Sequence, residues 1–332
     1  MANVQREPLC LVRGSINIDE FFHVPTVVQP GETLSSTHFE RRAGGKGANQ
    51  ASAVAKAGAR VKLIGAVGED GMHLVQGLRT IGVDVSDVVI DDSEPTGRAI
   101  IQLTPEGENC IILHKGANFL STPPLLAAPD AHPGLSYTHL LLQNEVPWDA
   151  TVAYLSHASS IGATTVWNPS PLPTPAQLQA FPWASLSWLV VNEGEVRGLL
   201  AALGAHAPGG AGGPVAQASA LLQTLHAQRG FAAVSIVCTL GAHGLVALLP
   251  HNDTVHVPAA KLDGPVRDTT GAGDCFAGYF VAGLMHAREL SPEDVRSALV
   301  RAVEAAGLCV QRPGAVESIP LREEVEKRLS SQ

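Results

Sequence analysis

The chain has 332 residues, of which 45% are apolar and only 5% aromatic, enough to bury a large core and to exclude a disordered polymer. Twenty-two Lys and Arg against thirty-one Asp and Glu give a formal charge of −9, which argues against nucleic acid as a partner because phosphate backbones are met by clustered cations. A local pocket can still oppose that field and take an anionic small ligand.

The first strand is expected over LCLVRGS (9–15). Ahead of it, MANVQREPLC has no apolar signal core, and no apolar run approaches the roughly 20 residues of a membrane span, so neither secretion nor a membrane is expected. The five cysteines, Cys10, Cys110, Cys238, Cys275 and Cys309, form no C-x-x-C pair and read as reduced thiols of an intracellular protein. NDT at Asn252 matches a glycosylation acceptor, a pattern common by chance.

GSINIDEF (14–21) follows the first strand. Asn17 and Asp19 are two apart and so share a face of an extended chain. A carboxylate there suits two vicinal hydroxyls, although an Asp after a buried strand is more often a turn residue. The stretch 21–41 is extended and turn-rich. AGGKGANQ (43–50) then opens a helix ending near Gly58. Its glycines free the backbone, Lys46 brings a cation and Asn49 brings both a donor and an acceptor, a set suited to a hydroxyl-rich ligand and also compatible with a plain glycine turn.

RVKLIGAVG (60–68), YTHLLLQ (137–143), ATTVWN (163–168), SWLVVN (187–192) and AAVSIVCTL (232–240) read as strands apolar on both parities, with helical patterns between most of them. That rhythm predicts an α/β fold with a mainly parallel sheet flanked by helices, and ligands at the carboxyl ends of its strands. TGRAIIQLT and NCIILHKG (96–116), joined by a Pro-Gly turn, break the rhythm. Together with 21–41 they predict a small separate sheet serving as a lid, with an edge extension of the main sheet as the alternative. The segment 202–217, rich in Ala, Gly and Pro, reads as a mobile surface loop.

VVNEGE (190–195) closes a buried strand with Asn192, Glu193 and Glu195. Carboxylates at such a position can hold Mg²⁺ through its waters, while an Asn followed by Glu three residues later is equally a helix-capping pattern. RDTTGAGDCFAGYF (267–280) sets Gly271, Ala272 and Gly273 at a helix N-terminus, where backbone N–H groups and the helix dipole favour an anion. Asp274 beside that anion is suited to taking a proton from an attacking hydroxyl, and on this stretch alone is equally an ordinary first-turn charge. Neither a G-x-x-x-x-G-K-[ST] loop nor a G-x-G-x-x-G fingerprint is present, which counts against a dinucleotide-dependent oxidoreductase.

In this order GSINID, PGET, GGKGANQA, EGEN, HKGAN, NPSP, NEGE, TLGAHG and DTTGAGDCFAG resemble the ribokinase-like carbohydrate kinase family, also called PfkB, over essentially the whole chain. The resemblance implies one kinase domain spanning 1–332, with lid segments near 17–43 and 96–116. Within the family's ribose-phosphorylating branch it implies transfer from ATP to the 5-hydroxyl of D-ribose. Asp274 is then the general base, and Gly271, Ala272 and Gly273 form the anion hole. Asn17, Asp19, Gly45, Lys46, Asn49 and Glu145 match sugar positions. Asn192, Thr239, Gly241, Gly244, Gly273 and Glu304 match nucleotide positions, and Glu195 the glutamate near Mg²⁺. Asp268, Thr270, Gly314 and Ser318 match a K⁺ site. A cytoplasmic homodimer joined through the lid follows, also nuclear in a eukaryote. Rivals are other kinases of the family, acting on 2-deoxyribose, fructose, fructose 6-phosphate or pseudouridine, and a catalytically silent member. The chain departs from the pattern at Arg13, placed in the first strand, at Asn144, and at Glu304, which would accept from the nucleotide's ribose or face solvent.

Overall fold

A computed structural model describes residues 7–131, 134–209, 212–249, 253–287 and 291–331. Asn252 and the first six residues lie outside them. In chain order the elements are β1 (Cys10–Arg13), β2 (Asn17–His23), β3 (His38–Gly44), α1 (Lys46–Lys56), β4 (Val61–Ile64), β5 (Ala66–Gly68), α2 (Met72–Thr80), β6 (Val89–Asp91), β7 (Gly97–Leu103) and β8 (Asn109–His114). There follow β9 (His139–Leu142), α3 (Trp148–Ser160), β10 (Thr164–Trp167), α4 (Pro175–Ala180), β11 (Trp188–Asn192), α5 (Glu193–Ala202) and α6 (Pro214–His226). The chain closes with β12 (Ser235–Thr239), β13 (Leu245–Leu248), β14 (Thr254–Val257), α7 (Ala272–His286), α8 (Pro292–Cys309) and α9 (Arg322–Leu329).

Eight strands form the main sheet in the order β14-β13-β12-β11-β10-β9-β1-β4. Its pairs from β4 to β12 are parallel, and β13 and β14 extend it antiparallel. Strands apolar on both parities bury both faces, as the sequence predicts. Val12, Leu63, Leu141, Val190 and Val237 pack with α1, α2, α7 and α8, whereas Leu11, Leu140, Trp167, Leu189 and Ile236 pack with residues of α3, α5 and α6.

The off-rhythm segments pair in a separate four-stranded sheet, β3-β2-β7-β8, so the edge-extension alternative does not hold. The strand expected over 60–68 is broken at Gly65 into β4 and β5, and β5 pairs instead with β6. The loop expected over 202–217 is shorter at both ends. Ala202 closes α5 and Pro214 opens α6, where its missing N–H costs nothing and its fixed φ suits a first turn; residues 210–211 lie outside the described set. All five cysteines are free thiols, and only Cys110 is exposed. Among the described residues no helix is long and apolar enough to cross a membrane.

Arg13 is fully buried in β1. Its Nε donates to the Leu126 carbonyl at 3.1 Å, while Nη2 has no partner and no carboxylate pairs with it among the described residues. Burial pulls its pKa down to about 10, against a smaller opposing influence from Tyr154. Because a buried cation without an anion is costly, Arg13→Met is expected to raise the thermal unfolding midpoint, read by differential scanning calorimetry.

Candidate active site

The carboxyl ends of β1, β9, β10 and β11 open on the N-termini of α1 and α7, the arrangement in which open α/β sheets bind ligands. Close helix packing creates the centre of the site. Gly278, one turn beyond Asp274, has α1 directly against it: a Cβ there would lie 2.4 Å from Ala53 Cβ and 2.6 Å from the Gln50 carbonyl. That approach lets α1 hand two amides to α7. Asn49 Nδ2 donates to Asp274 Oδ2 and Gln50 Nε2 to Asp274 Oδ1, each at 2.9 Å. Gln50 is held in turn by Gln143 Nε2, at 2.7 Å to its Oε1. Asp274 is therefore buried and fixed on both oxygens, while Asn49 Oδ1 is a buried acceptor without a partner.

Gly271, at φ 75°, caps α7 in the left-handed region. Open space lies beside Gly273, where an added Cβ would meet nothing within 4 Å. The Ala272 N–H makes a long 3.3 Å bond to the Thr269 carbonyl. The loop before Gly271 is tied by Asp268, whose Oδ1 accepts from Thr270 N–H and Oδ2 from Gly314 N–H, both at 2.9 Å. Ser318, the fourth of the expected K⁺ residues, is fully buried, with its hydroxyl donating to the Ala315 carbonyl at 2.8 Å.

Glu145 caps α1 from the end of β9. Its Oε2 accepts from Ser15 Oγ at 2.6 Å and from Lys46 N–H at 3.0 Å. The Lys46 ammonium is held above its ordinary range, most by the charge of Asp274 and then, against the cost of burial, by Glu145, Glu195 and Asp19. Asp19 moves the other way. Burial first, then Glu145, Asp274 and Glu317, push it up to about 7, with only Lys46 opposing. Asn17 Oδ1 accepts from Asn118 Nδ2 at 2.6 Å, and Asn118 also bridges the Ile16 backbone. A cavity of about 400 Å³ adjoins Asn17 and Glu145, walled by Asn118, Phe119 and Trp148.

Asp19 sits against Gly44 on the paired strand: a Cβ at Gly44 would be 2.1 Å from Asp19 Oδ2. On the sugar role that the resemblance implies for Asp19, Gly44→Ala is expected to swing that carboxylate aside and raise the KM for the sugar by about 10²-fold, leaving the KM for nucleotide unchanged in steady-state assays.

Of the residues expected to meet a nucleotide, Asn192 and Thr239 are register partners at the ends of β11 and β12, and Gly241 and Gly244 shape the turn into β13. Asn192 and Glu195 form a reciprocal capping box at 2.9 Å, so both side chains are engaged at the start of α5. Glu304 does not face solvent: it is buried and accepts from Arg328 Nε at 2.9 Å. Asn144 donates to the Pro171 carbonyl at 2.7 Å. The residues that sequence reasoning passed over are Ser15, Gln50, Asn118 and Gln143. Three of them lie inside motifs already singled out, GSINID, GGKGANQ and HKGAN, but their partners are about a hundred residues or more away (102 for Ile16–Asn118).

An α/β layer structure with a small β-sheet, a glycine turn at a helix N-terminus and a carboxylate fixed beside it have the form of a phosphotransferase acting on an alcohol. Residues 8–322 match the pfkB family carbohydrate kinase, and the chain belongs to that family. It is 32% identical over 324 residues to ribokinase of Staphylococcus aureus (strain COL), covering 96% of this chain and 98% of that one. Among solved structures it resembles ribokinase of Cryptococcus neoformans var. grubii serotype A in complex with ADP, at TM-score 0.87 and 51% identity over 97% of this chain and 99% of that one. It also resembles Arabidopsis thaliana ribokinase complexed with ribose and ATP, at TM-score 0.81 and 27% identity over 97% and 98%.

Proposed function

We propose that the chain is an ATP-dependent ribokinase, converting D-ribose to D-ribose 5-phosphate. The observation that carries the reading is the buried Asp274 carboxylate, held by Asn49 and Gln50 at the N-terminus of α7, where its charge is the strongest influence on the Lys46 ammonium. The 51% identity to a ribokinase and the likeness to one holding ribose and ATP support it.

In this reading Asp274 takes the proton of the 5-hydroxyl as that oxygen attacks the γ-phosphoryl in line. The N–H groups of Gly271, Ala272 and Gly273 meet the charge on the transferring group; Ala272 would exchange its long bond to Thr269 for it. Asp19 accepts two vicinal hydroxyls. Asn17, Gly45, Lys46, Asn49 and Glu145 line the rest of the sugar, and the free Asn49 Oδ1 is an acceptor suited to a hydroxyl. Asn192, Thr239, Gly241 and Gly244 line the nucleotide. Glu304 contributes through Arg328 rather than by direct contact.

Mg²⁺ fits as a partner of the nucleotide: it keeps its waters and needs few protein ligands, and the Glu195 carboxylate is a hard oxygen donor beside the site. When bound it neutralises phosphate charge. Asp268, Thr270, Gly314 and Ser318 offer only oxygen donors, on two loops already tied by the Asp268–Gly314 bond, which suits K⁺. A cation there supplies positive charge next to the anion hole.

The chain is read as one domain whose segments 17–43 and 96–116 form a lid that closes over the sugar and excludes water. Strand β8 supports a homodimer joined through that lid. It is an exposed edge, and Ile111, Ile112 and Leu113 are each more than half exposed, at 51%, 57% and 55%. The free thiols support a reducing compartment, the cytoplasm.

Coupled detection of ADP release over ribose, 2-deoxyribose, fructose, fructose 6-phosphate, adenosine and pseudouridine, with Mg²⁺ and with or without K⁺, tests the reading. Ribose is expected to give the highest kcat/KM. Turnover confined to another acceptor, or to none, overturns it.

A further inference from the structure

Arg42 lies outside the site residues read from the sequence, yet it joins the small sheet to the glycine turn. It stands on β3 directly across from Asp19 of β2. Its Nε and Nη2 hold Glu40 at 2.9 to 3.1 Å, Glu40 also meets His23 Nε2 at 3.1 Å, and the Phe21 ring lies 5.0 Å from the guanidinium carbon. On its other side, Nη1 is 3.5 Å from Asp268 Oδ2. That oxygen already accepts from Gly314 N–H, and its twin from Thr270 N–H. One carboxylate thus joins three separate pieces of chain: β3, the turn leading into α7, and the 314–318 loop.

We propose that Arg42 is a positioning residue that makes the order of the phosphoryl-binding turn depend on the placement of the sugar-binding strands. The inference rests on the ribokinase reading. A sugar engaged by Asp19 fixes β2. The seven-residue ladder carries β3 with it, and β3 sets Arg42. Arg42 sets Asp268, whose two oxygens set Thr270, which leads directly into Gly271, and Gly314, whose neighbour Ala315 lies against Gly271. Bidentate contact with Glu40 limits the freedom of the guanidinium, so little motion is lost between the two ends. An ion pair at 3.5 Å between side chains each 24% exposed adds little stability of its own; its consequence is geometric. The sheet does not depend on Arg42 for attachment, because on the opposite face Arg98 pairs with both Glu20 and Asp70.

The test compares wild type, Arg42→Met and Arg42→Lys at saturating Mg²⁺ and K⁺. It reads kcat, the KM for ribose and for ATP, the factor by which ribose changes ADP affinity in calorimetry, and the thermal midpoint. Arg42→Met is expected to lower kcat and to shrink the ribose–ADP coupling factor by roughly fivefold or more, while the ribose KM stays within about twofold. Arg42→Lys, which keeps a charge able to reach Asp268, is expected to recover most of both. Wild-type coupling in Arg42→Met, a wild-type coupling factor of one, or losses spread equally over kcat and both affinities in step with the thermal midpoint would each overturn the proposal. A wild type without ribose-dependent ADP release removes the kinase reading itself, a result distinct from these.

Discussion

Asp274→Asn is expected to lower kcat for ribose phosphorylation by about 10²- to 10⁴-fold, the range over which a positioned general base acts, with a much smaller change in the ribose KM. The substitution keeps size but removes two things. The charge that Lys46 feels most strongly is gone. One of two acceptor oxygens is gone as well, while Asn49 Nδ2 and Gln50 Nε2 still point at the group. One amide then faces an NH₂, at a cost of about 1–3 kcal/mol for an unsatisfied buried donor, which a lowered thermal midpoint should register. Steady-state kinetics and calorimetry on the same preparation separate the two effects. A variant with near-wild-type kcat means that the base lies elsewhere.

Asp19→Asn is expected to raise the ribose KM by roughly 10²-fold or more, since two hydrogen bonds to a charged acceptor are weakened at once. Nucleotide affinity should hold in the absence of sugar. The same residue predicts a pH dependence. Burial and the charges of Glu145, Asp274 and Glu317 push its carboxyl up to about 7 in the folded chain, against about 3.9 when unfolded. The folded state therefore keeps a proton that the unfolded state gives up. The resulting stabilisation is full below the unfolded pKa and is lost as pH rises from about 4 through about 7. Ribose hydroxyls need the ionised form, so ribose affinity should strengthen from pH 6 to pH 8 as stability of the sugar-free protein declines. Both slopes should flatten in Asp19→Asn, measured by calorimetric titration and thermal midpoint across that range.

The layer architecture was legible because its signals are local. Strands apolar on both parities, alternating with helical patterns, mark a sheet covered on both faces, and glycine turns directly ahead of apolar runs mark helix N-termini. The four-stranded sheet was legible as a break in that rhythm. What stayed hidden depends on contacts between distant segments. Nothing near Gln50 announces that its amide will meet Asp274, 224 residues away. Nothing near Arg42 in the sequence points to Asp268 as its partner. Glu304 gives no sign of being claimed by Arg328 on the next helix. At Asn192 and Glu195 both local readings are visible, and the capping box is realised. Pro214 shows the converse. A Pro after a Gly-rich run reads as more loop, although that residue is at home in the first turn of a helix.

The central claim, transfer from ATP to the 5-hydroxyl of D-ribose with Asp274 as base, is tested most directly by incubating the protein with ribose, ATP and Mg²⁺ and locating the new phosphate by ³¹P and ¹³C NMR. The account predicts one product with phosphorus coupled to C5, formed by wild type and reduced at least a hundredfold in rate by Asp274→Asn. Phosphate on another sugar oxygen, or no ribose phosphate at all, would contradict it.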